Sequence, residues 1–240
     1  MSATGVPAFD EEALKRGVAS VRHPLTRALL MLTFTTGLVD AVSYLALGRV
    51  FTANMTGNVV LLGFGIAGSA GLPVVGPVVS LGAFVLGAAV GGVLVRRTGD
   101  RHPVLVARAL ELEGSVIAAA AILAAATSVH PGDTLAYVLI VLLASPLGFR
   151  SAVVRRIAVP DLNTTVVTMT VTGLAAESAV TGGSGKGSIR RGAAVLAMLV
   201  GALAGALLLK VSLFVPLAAA AALALATRLV YVPAAWRLGR

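Results

Sequence analysis

The chain has 240 residues, of which 58% are hydrophobic and 12% are charged, and it has no cysteine. A soluble domain carries about 25% charged residues, so this composition excludes an ordinary water-soluble globule and predicts a membrane protein. The missing cysteines exclude disulfides, thiolate catalysis and cysteine-based metal sites. The net charge of +9 comes from short basic clusters between apolar runs. That pattern is typical of membrane orientation and argues against nucleic-acid binding.

Residues 1–24 mix acidic and basic side chains and predict a cytoplasmic tail, and residues 25–240 predict a single transmembrane domain. A helix needs about 20 apolar residues to cross a bilayer, and six stretches qualify as full spans. They are Leu25–Leu47, Pro73–Val95, Val104–Ser128, Thr134–Phe149, Gly192–Leu209 and Val211–Val232. The fourth is short, and we expect it to extend past Arg150 if that side chain snorkels to the interface.

Two further segments, Val50–Gly68 and Asp161–Val180, are long enough to cross but are rich in Thr, Asn and Gly. If both cross, the chain has eight spans and its basic residues divide almost evenly between the two sides. If both dip in and return, the chain has six spans and 17 of its 19 basic residues face the cytoplasm. The positive-inside rule favours six spans plus two re-entrant segments, with both termini cytoplasmic.

The two halves of the chain share a pattern of span, Thr/Gly-rich segment, span, span. Matching glycines lie 111 residues apart for Gly37 and Gly148, and 114 apart for Gly87 and Gly201. The sequence therefore predicts an all-α membrane bundle of two inverted repeats, residues 25–128 and 134–232. Inverted repeats with broken helices are a common plan among secondary transporters; chance similarity in a Gly/Ala-rich chain is the alternative.

Three stretches of the sequence resemble a known family. They are Asp40-Ala-Val-Ser-Tyr44, Phe51-Thr-Ala-Asn-Met-Thr-Gly-Asn58, and the run from Thr165 to Thr172-Gly173. This chain resembles the YoaK family of bacterial multi-pass membrane proteins over most of residues 27–230. The resemblance implies a bacterial inner-membrane protein and no chemistry, since the family's function is unassigned. The chain departs from the family pattern at Ser151, where an Asn is usual.

Asp40 lies inside the first predicted span, where a carboxylate costs about 2.5–3.5 kcal/mol if it faces lipid. We therefore expect it to face protein or water. Two interpretations stay open from the sequence. Asp40 is either a coupling-ion or proton site, or a structural carboxylate that caps the Thr52–Asn58 segment.

Both Thr/Gly-rich segments offer hydroxyl and amide ligands at membrane depth, and we interpret them as one binding site for a small solute or ion. The alternative is helix–helix hydrogen bonding, at about 0.6–2 kcal/mol per contact. Glu177, which ends the second segment, is a candidate for an inner vestibule. The predicted binding residues are Asp40, Thr52, Asn54, Thr56, Gly57, Asn58, Thr165, Thr168, Thr172 and Gly173.

Arg108 and Glu111 are spaced as a helical ion pair, with Glu113 close by. The three histidines fall in loops beside prolines, so the sequence predicts no metal site and no cofactor. No nucleophile and base are paired by any motif, so an enzyme is not expected.

The leading hypothesis is a small secondary transporter or permease of an unidentified solute, ion- or proton-coupled through Asp40. The alternatives are a passive channel and a non-catalytic membrane scaffold. The predicted partners are the lipid bilayer and a small solute or ion, with no nucleic acid, and a homo-oligomer is left open.

Overall fold

The computed structural model describes residues 24–69, 71–98, 102–157, 167–176 and 187–238. These residues form eight helices and no strand, as predicted for an all-α membrane bundle. The helices are α1 (Pro24–Ala46), α2 (Met55–Ile66), α3 (Val75–Thr98), α4 (His102–Ala126), α5 (Thr134–Ile157), α6 (Val167–Ala176), α7 (Ser188–Leu209) and α8 (Phe214–Leu238).

Five of these helices, α1, α3, α4, α5 and α7, are long and apolar enough to cross a membrane. The side chains described in α8 cover the shorter apolar stretch Phe214–Leu229. At about 1.5 Å per residue, the 12 residues of α2 and the 10 of α6 extend about 18 Å and 15 Å. Helix α2, which has described turns on both sides, is therefore too short to cross a hydrocarbon core of about 30 Å as a single helix.

The bundle has two central helices and an outer layer. About two thirds of the apolar part of α1 (67%) and of α5 (61%) is buried, against 28% for α3 and 17% for α7. The outer faces of α3 and α7 present large apolar side chains such as Leu86, Val90, Leu199 and Leu203. A surface of this kind is covered by lipid in a membrane protein.

Two buried apolar clusters fix the direction of the helices. We call the end of the bundle where α1 finishes end A, and the opposite end, where α1 begins, end B. The cluster at end A joins the last turns of α1 to Ile117 of α4, Leu139 of α5 and Leu217 of α8, with Val79 of α3 packed against it. At end B, Leu29 of α1 meets Val95, Leu105, Val153 and Ala194. Helix α3 therefore starts at end A and finishes at end B, and α7 starts at end B.

The first Thr/Gly-rich segment begins and ends at the same end of the bundle. The Arg49 guanidinium donates a hydrogen bond of 3.2 Å to the carbonyl of Gly71. Helix α1 enters the segment through a turn at Gly48, whose φ of +104° favours glycine. The segment thus leaves α1 and rejoins α3 at end A. In the second half, α5 finishes and α7 begins at end B, so the second segment is flanked by helix ends on the opposite side.

Two helix pairs pack closely through small residues, and the two pairs match. A Cβ at Gly87 or Gly91 of α3 would collide with the α5 backbone at Ser145 or Phe149. A Cβ at Gly201 or Gly205 of α7 would collide with the α1 backbone at Phe34 or Leu38. The glycines of the second pair stand 114 positions after those of the first, and Ser145 and Phe149 stand 111 after Phe34 and Leu38. Close approach through glycine is typical of packing between transmembrane helices.

The fourth predicted span extends past Arg150, as expected, but for a different reason. Helix α5 runs eight residues beyond Phe149, to Ile157. Arg150 does not snorkel to the interface; it is 1% exposed inside the bundle. The helix continues because this guanidinium finds polar partners in the interior.

Candidate functional site

Asp40 holds the beginning of α2. Its Oδ1 accepts hydrogen bonds from the backbone N–H groups of Thr52 (2.9 Å) and Ala53 (2.8 Å), and its Oδ2 accepts one from Asn54 (3.2 Å). The Thr52 hydroxyl lies 3.5 Å from the same Oδ1. Asn54 is the N-cap of α2, and the three amides lie in the turn that leads into the helix, where a negative charge is favourable. The capping interpretation of Asp40 therefore describes its contacts in the structure.

Asn58 closes the loop that leads into α2. Its side chain accepts a hydrogen bond from the Phe51 N–H (2.8 Å) and donates one to the Phe51 carbonyl (2.6 Å). The Ser80 hydroxyl of α3 donates to the same carbonyl at 2.6 Å. Asn58 is fully buried, so its amide is used within the protein. Asn58 and Thr52 thus hold the loop before α2 in place from inside the protein.

A cavity of about 460 Å³ with a mixed polar and apolar lining opens where α2 begins, within the size range of small-molecule pockets. Its walls come from both halves of the chain: α1 and α2 on one side, α6 and α7 on the other. The lining residues are Thr36, Asp40, Tyr44, Phe51, Ala53, Asn54, Thr56, Gly57, Val60, Leu61, Val167, Thr168 and Met198. Residues from the first turns of α2 therefore meet Val167 and Thr168 of α6 at one cavity.

Tyr44 stands between this cavity and a second one. Its ring stacks on Phe51 with centroids 4.9 Å apart and planes 21° apart. The second cavity, of about 430 Å³, lies at end A and is lined by Tyr44, Arg49, Gly71 and Pro131 among others. A Cβ on Gly57 would lie 2.8 Å from the Phe51 ring. Glycine at this position therefore lets the aromatic pair sit against α2.

The predicted site residues divide into four groups. Asp40, Asn54, Thr56, Gly57 and Thr168 line the cavity. Thr52 and Asn58 are buried behind it, as described above. Among the described residues of α6, Thr172 and Gly173 do not line it: the Thr172 hydroxyl donates to the Thr168 carbonyl, and the Gly173 carbonyl accepts from Arg191 of α7 at 3.1 Å. Thr165 and Glu177 lie outside the described residues.

Sequence reasoning missed a buried ion pair at the centre of the bundle. Arg150 of α5 donates a hydrogen bond of 2.6 Å to Oε1 of Glu113 on α4 and another of 2.6 Å to the Thr36 hydroxyl on α1. The expected pair of Arg108 and Glu111 is replaced by Glu111 with Arg228 of α8, at 3.4 Å. Helical spacing indicates pairs within one helix, whereas both observed pairs join different helices.

Among the described residues, no three His, Asp or Glu side chains converge, so this part of the chain contains no cluster that could hold a metal ion. What the cavity does offer is a mixture of hydroxyls, an amide, one largely satisfied carboxylate and an apolar wall. Such a lining suits reversible contact with a small polar solute.

Comparison with known proteins places the chain in a family. Residues 28–230 match the family described as "Protein of unknown function (DUF1275)". The chain belongs to the DUF1275 family. The expected resemblance to YoaK is confirmed: the chain is 33% identical over 147 residues to the UPF0700 transmembrane protein YoaK of Bacillus subtilis (strain 168). That match covers 61% of this chain and 64% of YoaK, which is less than two thirds of that protein. No solved structure matches this DUF1275 protein.

Proposed function

We propose that this DUF1275 protein is a small secondary transporter or permease that carries a small polar solute through the cavity at the start of α2. The observation that supports this most is the meeting of α2 and α6, one from each half of the chain, at one cavity. Broken helices that meet near the midplane form the substrate sites of many secondary transporters. The protein would act without catalysing a reaction.

The two halves are proposed to be inverted repeats. The matched glycine contacts of α3 with α5 and of α7 with α1 support this proposal, because they recur at offsets of 114 and 111 positions. So do the flanking helix ends, since the first segment is flanked at end A and the second at end B. Two such repeats can exchange conformations, which gives access to the cavity from each side in turn.

The orientation follows from charge. The sequence assigns 17 of the 19 basic residues to the cytoplasmic side, and 16 of them remain when the buried Arg150 is left out. Those described at the last turns of α3 and α5, such as Arg96, Arg97 and Arg155, lie at end B. The positive-inside rule then places end B and both termini in the cytoplasm. Because the resemblance to YoaK is to a bacterial family, the proposed location is the bacterial inner membrane. The cavity at end A would form an outer vestibule, with Tyr44 and Phe51 between it and the inner cavity.

A scaffold and a channel are the other candidates. A scaffold predicts a close-packed interior between the two Thr/Gly-rich segments, and the cavity favours transport over that function. A channel would use the same polar lining without alternating access. Sustained single-channel currents in a planar bilayer would identify a channel and exclude the transporter cycle.

An uptake experiment tests the proposal on the cysteine-free chain. Proteoliposomes containing Thr56→Cys are incubated with a pool of small metabolites extracted from bacteria, and the solutes inside are identified by mass spectrometry. We expect at least one solute to accumulate relative to protein-free vesicles, and a maleimide on Thr56→Cys to block it. Ser69→Cys, in the loop after α2 and outside the cavity lining, is the matched control and should transport after labelling.

Two outcomes contradict the proposal. If no solute accumulates above protein-free vesicles, the protein is not a transporter of small metabolites. If labelled Thr56→Cys transports as well as labelled Ser69→Cys, the cavity is not the route.

A further inference from the structure

Outside the site around Asp40, the pair Glu113–Arg150 is the most deeply buried charged contact among the described residues. The two side chains are 0% and 2% exposed, and the distance between Glu113 Oε1 and Arg150 Nη1 is 2.6 Å. Taking two charges out of water is costly, and a pair of this kind often contributes little net stability. Ionisable residues at membrane depth therefore point first to function.

The pair is incompletely bonded. Glu113 Oε2 and Arg150 Nε have no hydrogen-bond partner. Buried polar atoms without partners are rare, and each calls for an explanation. An oxygen without a donor is also the atom at which a carboxylate can take up a proton without breaking an existing bond.

The pair is connected to the cavity by one residue. The Thr36 hydroxyl accepts from Arg150 Nη2 at 2.6 Å and donates to the Leu32 carbonyl at 2.8 Å. Thr36 also lines the cavity, one helical turn before Asp40. The contact joins α1 and α4 of the first half to α5 of the second half, so it lies where the proposed repeats would move against each other.

We propose that Glu113 is the proton-coupling group of the carrier and that Arg150 and Thr36 link its protonation to the cavity. This inference rests on the proposed transport function and transfers the coupling role from Asp40, whose carboxylate is engaged by three backbone amides. A proton from bulk water binds Glu113 Oε2, the ion pair with Arg150 is lost, and the guanidinium keeps its charge. The proton returns to water on the other side when the pair forms again.

Few other charges are placed to perform this role. The other described carboxylates in the helices are Asp40 of α1 and Glu111 of α4, which pairs with Arg228 of α8. The described cations on the surrounding helices also include Arg27 of α1, Arg108 of α4, Arg155 of α5 and the buried Arg190 and Arg191 of α7. Asp40 is held by the start of α2, and both Glu111 and Arg228 are more than one third exposed. Glu111→Gln is therefore a matched control, two residues away on the same helix.

The test reads conformation without needing the solute. Thr56→Cys is placed in the native, Glu113→Gln and Glu111→Gln backgrounds in proteoliposomes, and its maleimide labelling rate is followed from pH 5.5 to 8. Dividing each labelling rate by the rate in the Glu113→Gln background removes the pH dependence that comes from ionisation of the cysteine thiol itself. One coupled proton changes a two-state equilibrium by up to about tenfold per pH unit. We expect the native and Glu111→Gln ratios to change with pH in this way.

An infrared measurement identifies the protonated group directly. The pH difference spectrum should contain the C=O stretch of a protonated carboxyl group in the native protein and in Glu111→Gln, and lose it in Glu113→Gln. A structural salt bridge would not produce this band. If the band survives in Glu113→Gln, or if the labelling ratio is independent of pH, the proposal is wrong.

A second variant covers the case in which Glu113→Gln does not fold. Glu113→Gln with Arg150→Gln removes both charges and leaves no unpaired buried charge; it should fold and label at a rate without the coupled pH change. If this double variant keeps the native pH dependence, Glu113 is not the coupling group. Solute uptake is measured separately. A labelling ratio that changes with pH, without any uptake, contradicts transport. Uptake with a labelling ratio that is independent of pH contradicts only the role of Glu113.

Discussion

Replacing Asp40 by asparagine should loosen the start of α2. The asparagine oxygen can still accept hydrogen bonds from the Thr52 and Ala53 amides. Its NH₂ group, however, then faces the Asn54 N–H, which in the native protein donates to Asp40 Oδ2 at 3.2 Å. Hydrogen bonds to a charged group contribute about 1.5–3 kcal/mol and are stronger than neutral ones; the bonds from Thr52 and Ala53 are buried, and the bond from Asn54 is partly buried. Together these effects give a local destabilisation of roughly 3 kcal/mol.

Amide hydrogen exchange measures this change where it occurs. The free energy of local opening determines how fast a backbone amide exchanges, and each 1.4 kcal/mol of that free energy corresponds to a factor of ten in the exchange rate. We therefore expect the amides of Thr52–Asn54 to exchange about 100-fold faster in Asp40→Asn, with little change in peptides from α4. Asp133→Asn is the control, because Asp133 lies in an exposed loop beside His130. Equal exchange at Thr52–Asn54 in the two variants would refute the capping role.

Three further predictions concern packing, topology and the ion pair. Gly201→Ala should destabilise the protein by about 1–3 kcal/mol, because its Cβ would collide with the Phe34 carbonyl. Gly82→Ala is the control and should not destabilise it, since a Cβ there has no neighbour within 4 Å. Equal thermal unfolding of the two variants would contradict the close contact of α7 with α1. Cysteines at Ser69 and at Ile189, which is 80% exposed at the start of α7, should react with an impermeant maleimide from opposite faces of oriented vesicles. Labelling of both from one face would exclude the assignment of the two segments to opposite ends. Arg150→Leu should cost about 3–5 kcal/mol, and adding Glu113→Leu should recover most of it; a double variant as unstable as the single one in thermal unfolding would show that the pair is not a unit.

The architecture was largely readable from the sequence because hydropathy and charge act locally along the chain. Apolar run lengths predicted the long helices, and the basic clusters predicted that Val50–Gly68 would begin and end on one side. The Arg49–Gly71 hydrogen bond agrees with that prediction. The composition of the segment indicated an irregular structure, since Thr, Asn and Gly weaken a continuous helix.

The roles of individual polar residues were harder to predict, since they depend on contacts distant in the chain. Asn58 reads as a ligand in the sequence, but its amide is used by Phe51, seven residues earlier. Arg150 reads as one of a basic cluster with Arg155 and Arg156. Only the fold brings it to Glu113, 37 positions away, and to Thr36, 114 positions away. A pair of this kind has no signature in spacing, although an arginine at the end of an unusually short predicted span is itself a signal that the helix continues and buries a charge.

The meeting of α2 and α6 at one cavity is tested most directly by cross-linking Thr56→Cys to Thr168→Cys in the otherwise cysteine-free chain. Both residues line the cavity from opposite walls, so a bifunctional maleimide that spans it should join them within one chain. The pair Ser69→Cys and Thr168→Cys, with one residue outside the cavity, should not be joined by the same reagent. If the cavity pair labels singly but never cross-links, the two segments do not share a site and the transport proposal loses its support.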